Sequence, residues 1–293
     1  MSDQEWLAER FEEQRPRLRQ VAYRMLGSLA ESDDAVQDAW LRASRAGAAG
    51  VENLDGWLTT IVARVCLNLL RSRQTRREEP PEAHVPDPVI SFEADPEQAA
   101  LLGDAVGLAL LVVLDTLNPA ERVAFVLHDM FAVPFDEIAS LLETSAPAAR
   151  QLASRGRRRI RTAATPEGAL ESQREVVDAF FAAARNGDFD ALVALLDPDI
   201  VLRSDGGTTH PRSTALVHGA AAVAGRALQF ANPAAHLHPL VVNGGAGVLA
   251  TLEGRPFSLM AFTVSGGRIA EIDAIAEPDR VRRIVDAHST QRA

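Results

Sequence analysis

Six arginines fall within residues 150–161, in the stretch RQLASRGRRRIR, with no carboxylate among them. Guanidinium groups fork onto phosphate oxygens, and an arginine or glutamine near the start of a helix reaches base edges in a major groove. The setting sharpens the point, because the chain of 293 residues carries a formal net charge of -10. Local potential rather than net charge decides whether a surface meets nucleic acid. A solvated basic helix end, favoured by its own dipole, is the other reading of the same residues.

A second set of residues has the types for acid–base work. Asp205, His210, His236, His238 and Asp273 are candidate general acids and bases, yet no nucleophile, metal triad or phosphate loop accompanies them. Asp205 precedes two glycines in SDGG, the usual place of a turn former, and the two histidines of HLH share one face of a strand. The expectation is a chain that is not an enzyme and holds no cofactor or metal.

The elements that must position the arginines read as two helices joined by a tight turn, PFDEIASLLETSAPAARQLASRGRRRIR. Ile138, Leu141 and Leu142 face inward on the first helix. Ser145 suits the N-cap of the second and Pro147 its first turn. On that second helix Ala149, Ala153, Gly156 and Ile160 form a small-residue seam for packing on the first, so Arg150, Gln151, Ser154, Arg155 and Arg158 face out. This is helix-turn-helix grammar. The turn LETS lacks the glycine often found there, so Thr144 is expected to take a strained or alternative conformation.

Upstream, helical periodicity runs from Gln4 to about Arg77, with breaks at Gly27 and through AGAAGVENLDG. A stretch rich in proline and glutamate follows, EEPPEAHVPDPVISFEADPE, whose composition favours extended backbone and reads as a linker. Helices resume to about Ala164. After TPEG two helical segments give way to DIVLRSDGG, a helix near 219–230 and four β-like runs separated by glycine turns, an α+β texture.

The single cysteine, Cys66, excludes an internal disulfide and a multi-cysteine zinc site, and its apolar surroundings point to a buried thiol. All 30 basic residues are arginine, which carries no functional weight. The charged N-terminus is unlike a signal peptide, and no apolar run approaches the ~20 residues of a membrane helix. A cytoplasmic protein that does not engage a membrane is expected.

Taken together, DDAVQDAWLRA, the tryptophan-bearing helix NLDGWLTTIVARVCLNLLRSRQTRR, the linker, and LNPAERVAFVLHDMFAVPFDEIASLL before the arginine helix resemble an extracytoplasmic-function (ECF) sigma factor of bacterial RNA polymerase, in the sigma-70 family. The resemblance covers roughly residues 4–162. It implies that Asp34, Gln37 and Asp38 dock the clamp helices of the polymerase β′ subunit, a solvated acidic face being the other reading. It also implies that the loop containing Asn53 and the face of Arg64, Asn68 and Arg71 engage the melted minus-ten element. Ser145, Arg150, Gln151, Ser154, Arg155 and Arg158 would then contact the minus-thirty-five element. Trp57 reads as core, and Asn53 also suits a purely local turn role.

Residues 169–290 resemble a SnoaL-like domain of the cone-shaped α+β class that includes nuclear transport factor 2 (NTF2). Sigma factors with such an extension form a recognised group, and VPDP at 85–88 and SDGG at 204–207 are similar to two of its motifs. In that group the added domain is thought to regulate the sigma factor in cis, so Pro86, Asp87, Pro88, Asp205, Gly206 and Gly207 are the expected regulatory contact. The continuation DGGTTHPR departs from the group, which usually has a basic residue soon after the glycines.

The expected fold is therefore multidomain: two all-α sigma domains, the second with a helix-turn-helix, and a C-terminal α+β cone. Sigma region 2 would occupy 1–78, the linker 79–104, sigma region 4 105–164, and the SnoaL-like domain 169–290. The expected function is an alternative sigma factor that binds core polymerase, through its β′ and β subunits, and promoter DNA. An unknown small ligand could occupy the C-terminal domain. A ligand-responsive repressor and a cyclase or isomerase are the alternatives, since such folds serve enzymes and binding modules alike.

Overall fold

The computed structural model describes residues 3–75, 83–92, 108–160, 167–207 and 213–290. The chain divides into two compact units: Met1–Glu79 with Val113–Thr162, and Pro80–Val112 with Ala163–Ala293.

The first unit is helical. Helices α1 (Asp3–Leu26), α2 (Leu29–Ala46) and α3 (Leu54–Thr75) bury Leu18, Val21, Met25, Val36, Leu58, Val62 and Cys66 at their common centre. Ser28 caps α2, accepting from the Glu31 N–H. Burial pushes the Cys66 thiol up to about 12, so it is an inert apolar filler. The chain re-enters this unit at Val113, within α4 (Leu108–Asp115), and continues through α5 (Pro119–Phe125), the latter capped by Asn118 with proline in its first turn. A single π turn, Val126–Met130, leads to α6 (Phe135–Leu142) and α7 (Ala146–Ile160). The two helical groups of this unit meet at Arg122, which is 3% exposed. Its guanidinium donates to the backbone oxygen of Arg24 at 3.4 Å and pairs with Asp115.

Two local expectations need correction. The left-handed residue between α6 and α7 is Glu143 (φ 54, ψ 47), not Thr144, whose N–H instead donates to Ala139 O at 2.9 Å. A left-handed C-cap closes the last turn of α6 in the way a glycine would, at some conformational cost. At Gly156 the small-residue seam abuts α5 rather than α6, because a Cβ there would lie 3.0 Å from Phe125 Cβ. Ala149 and Ala153 are fully buried on the same seam.

The second unit places α8 (Leu170–Asn186), α9 (Phe189–Leu195) and α10 (Ala220–Phe230) with one seven-stranded sheet. Its strands are β1 (Ile90–Ser91), β2 (Leu196–Asp205), β3 (Ala215–His218), β4 (His236–Val242), β5 (Gly245–Leu252), β6 (Arg255–Ser265) and β7 (Arg268–Ile275). Their order is β1-β4-β5-β6-β7-β2-β3, antiparallel except for the β2–β7 pair. Val177, Phe180, Leu192, Ile200, Val248 and Ile269 build the core on one face. A C-terminal helix that periodicity did not reveal, α11 (Pro278–Thr290), packs against β6 and β1.

Within the Pro/Glu-rich stretch the described residues, 83–92, form no helix, as the composition leads one to expect, and they are not loose. Ile90 and Ser91 pair with Val242 and Val241, and Val85 and Ile90 are buried. Proline costs nothing on such an edge, where a missing N–H faces no partner strand. Among the described residues no helix is long and apolar enough to cross a membrane.

Candidate nucleic-acid interface and a carboxylate lock

Helix α7 starts correctly because the Ser145 hydroxyl accepts from the Ala148 N–H at 3.3 Å. With Ala149, Ala153 and Gly156 buried, the opposite face carries Arg150, Gln151, Arg155 and Arg158 in solvent, with Ser154 half-buried. Arg150 lies over the Phe135 ring at 5.1 Å, which orients its guanidinium. Arg155 stands 3.9 Å from Glu121 and stays half-exposed, whereas Arg157 is paired with Asp129 at 2.5 Å. Arg161, the last of the six arginines, and the candidate acid His210 lie outside the described residues.

In the first three helices, Asp34 and Gln37 are exposed on α2, and Asp38 is bridged to Arg42 at 2.8 Å. Arg64, Asn68 and Arg71 form an exposed stripe along α3, four and three residues apart. Asn53 does the local job: its Oδ1 accepts from the Gly56 N–H at 3.0 Å at the start of α3. Trp57 is half-buried.

In the second unit VPDP and SDGG come together at one carboxylate. Asp205, 5% exposed, ends β2. Its Oδ1 accepts from the Gly207 N–H at 3.0 Å, closing a local turn in which Gly207 has φ 58. Its Oδ2 accepts from the Val85 N–H at 3.1 Å and from Arg280 Nη1 at 2.8 Å, and lies 3.0 Å from His84 Nδ1. Arg280, on α11, donates from Nε to Asp87 at 2.7 Å and from Nη2 to Val85 O. Pro86 and Pro88 are buried on either side of Asp87, and the buried Gly206 donates to Thr214 Oγ1 at 3.1 Å. A Cβ at Gly207 would collide with the Glu277 side chain.

Burial by itself would raise the Asp205 carboxyl. The His84 contact, the Val85 and Gly207 N–H groups and Arg280 outweigh it and hold the group far below the usual carboxylate range. On the same face of β2, Arg203 bridges Glu271 at 3.1 Å and Asp273 at 3.2 Å. There burial wins: together with Glu271 it pushes Asp273 up to about 6 against the pull of Arg203.

The other face of β2 and β7, bearing Leu202, Ser204, Ile272 and Ala274, lines a cavity of about 440 Å³ beneath α8 and α10. None of the described acid–base candidates lines it. Asp205 and Asp273 lie on the opposite face, as do His236 and the exposed His238, which contacts Thr251 Oγ1 at 3.0 Å. Alternation along a strand enforces this separation, since Leu237 between the histidines does line the cavity.

Sequence reasoning missed His84, Arg122 and Arg280. Arg280 sits among the arginines of PDRVRR, where spacing says only that a helix is amphipathic and basic.

Comparison with known proteins adds independent findings. Residues 10–76 match the model for Sigma-70 region 2, and residues 107–160 match Sigma-70, region 4. The chain is 37% identical over 265 residues to the probable ECF RNA polymerase sigma factor SigI of Mycobacterium tuberculosis, covering 88% of this chain and 89% of that one. It is 38% identical over 295 residues to the ECF RNA polymerase sigma factor SigJ of the same species, covering 92% and 91%. The crystal structure of SigJ superposes with a TM-score of 0.72 at 35% identity, covering 93% of this chain and 97% of that one.

Proposed function

The chain belongs to the ECF RNA polymerase sigma factors, and on that premise we propose that its C-terminal unit controls the two sigma regions in cis, with Asp205 as the point of control. As a sigma factor it binds core RNA polymerase and promoter DNA and directs transcription initiation. Asp34, Gln37 and Asp38 dock the β′ subunit. Arg64, Asn68 and Arg71 meet the melted minus-ten element, with Asn53 shaping the loop before them. Arg150, Gln151, Ser154, Arg155 and Arg158 meet the minus-thirty-five element, on a helix that Ser145 caps.

The observation that carries the cis-regulatory reading is the three-way hold of Asp205 on residues 84–87: through His84, through the Val85 N–H, and through Arg280 to Asp87. The linker of residues 79–104, to which these belong, is covalently joined to sigma region 2 at one end and sigma region 4 at the other. A linker pinned this way cannot extend independently of the C-terminal unit. The pinning matters because the two promoter elements are about 25 base pairs apart, about 85 Å of duplex at 3.4 Å per step. Sigma regions packed on one another through Arg122 must part to reach both. The Asp87–Pro88 pair and the Gly206–Gly207 turn serve as the fitted parts of the lock, and Pro86 holds the approach.

The test is co-elution of the full chain with core polymerase, alongside the Asp34→Ala/Asp38→Ala double variant and Asp205→Asn. The expected result is loss of co-elution in the double variant and altered polymerase affinity and promoter output for Asp205→Asn. Wild-type behaviour of Asp205→Asn in both assays overturns control through the lock. Wild-type co-elution of the double variant overturns the polymerase-docking assignment.

A further inference from the structure

The cavity of the C-terminal unit plays no part in the sigma chemistry or in the lock, yet it has the attributes of a ligand site. Its volume of about 440 Å³ falls in the range of small-molecule pockets, about 300–1,000 Å³. Five of the chain's 11 phenylalanines line it, namely Phe180, Phe181, Phe230, Phe257 and Phe262. Phe180, Phe181 and Phe262 pack edge to face, with centroids 5.5–6.0 Å apart, a wall that accepts a flat ring on a face or an edge.

The polar part of the lining has one sign. It contains Arg185 and Arg226 and no carboxylate. Arg226, half-buried on α10, lies over the Phe230 ring at 4.6 Å, and no ion pair engages it among the described residues. Phe230 is itself 56% exposed, an aromatic side chain at the rim with its face covered by a cation. Within the cavity Ser204 and Ser258 supply hydroxyls that accept or donate. An aromatic body against the phenylalanines and an anionic group at Arg226 would satisfy both halves, because a guanidinium at a partly desolvated rim makes charge-assisted bonds to an oxyanion.

We infer that the cavity between α8, α10 and the sheet is a binding site for an aromatic organic anion, a carboxylate or sulfonate on a flat apolar body, recognised by the phenylalanine wall and by Arg226. The site abuts the lock through the chain itself. Ala276 and Pro278 line the cavity, the Ala276 N–H donates to Asp205 O at 2.7 Å, and Arg280 follows two residues after Pro278. Any effect of the ligand on transcription rests on the cis-regulatory reading above, whereas its binding does not.

The experiment is a fluorescence titration of the full chain with 1-anilinonaphthalene-8-sulfonate and with its neutral analogue N-phenyl-1-naphthylamine. It compares the native chain with Arg226→Gln, a half-exposed position, and with Ala250→Phe, which puts a ring into the cavity from β5. The expected result is saturable one-to-one binding of the sulfonate. It weakens at least tenfold in Arg226→Gln while the neutral analogue is unaffected, and Ala250→Phe weakens both dyes. Melting curves establish that each variant is folded. Sulfonate binding as tight in Arg226→Gln as in the native chain overturns the inference, as does binding by a folded Ala250→Phe variant that matches the native chain. Failure here leaves the Asp205→Asn outcome untouched, so the two readings fall separately.

Discussion

The arginines of α7 and those of the C-terminal unit are chemically identical and physically opposite. On α7, Arg150 and Arg158 stand in solvent, and Arg155 remains half-exposed beside Glu121. In the C-terminal unit Arg280 and Arg203 have side chains 13% and 15% exposed, and each is held between two carboxylates. A cation left to water keeps its donors for a phosphate or a base edge. A buried cation has already spent them on its own fold, and removing one partner leaves an uncompensated charge. The difference separates cations still open to a partner from cations already committed to the fold.

The largest effect should come from breaking the buried set. Arg280→Met leaves Asp205 and Asp87 without their shared cation, and unfolding of the C-terminal unit should become easier by about 3–5 kcal/mol, read by calorimetry. An unchanged melting profile would erase the contrast with α7. On the exposed side, Arg150→Ala or Arg155→Ala should leave melting unchanged but weaken minus-thirty-five binding, by about 1–3 kcal/mol where the contact is to a base edge. Equal loss on every DNA sequence would assign the residue to phosphates, with a shallower salt dependence.

A third outcome contrasts the two buried carboxylates. Asp205 is lowered, so its contribution is present at neutral pH and is lost only in acid, below its ordinary value of 3.8. Asp273 is raised to about 6, so its folded form prefers the proton. Its contribution is complete below 3.8 and disappears as pH rises through 6. Asp273→Asn should therefore flatten the stability profile between pH 4 and 6, by at most about 1.4 kcal/mol per pH unit, while leaving the acid limb intact. Urea midpoints across that range measure it. The smallest effect tests reciprocity: Asp205→Asn should shift the affinity for the naphthalene sulfonate by a few fold if cavity and lock are linked.

How much was legible follows the same division. The helix-turn-helix could be read because its caps and seam repeat at three to four residues. Ser145, Ala149, Ala153 and Gly156 therefore announce both the helix and its exposed face. The β-runs could be read from alternation and glycine turns, although the two-residue strand at Ile90 is too short to carry a period. The expected pairing of VPDP with SDGG came from likeness to a known group, and nothing in spacing identifies His84 or Arg280 as its other members. Arg280 meets Asp205 across 75 residues and Asp87 across 193. Nothing in the spacing around Arg122 signals that the fold buries its guanidinium against the backbone oxygen of Arg24.

The amino-acid order alone determined the helices, their caps, the exposed arginine face of α7 and the membership of the family, since these depend on residues a few positions apart and on motif order. Only the tertiary structure decided which arginines are already paired, which buried carboxyl is raised and which lowered, and that the described candidate acids face away from the cavity. Those properties depend on burial and on partners brought together across the sheet, and a pKa or an ion pair responds to distance and dielectric rather than to position along the chain.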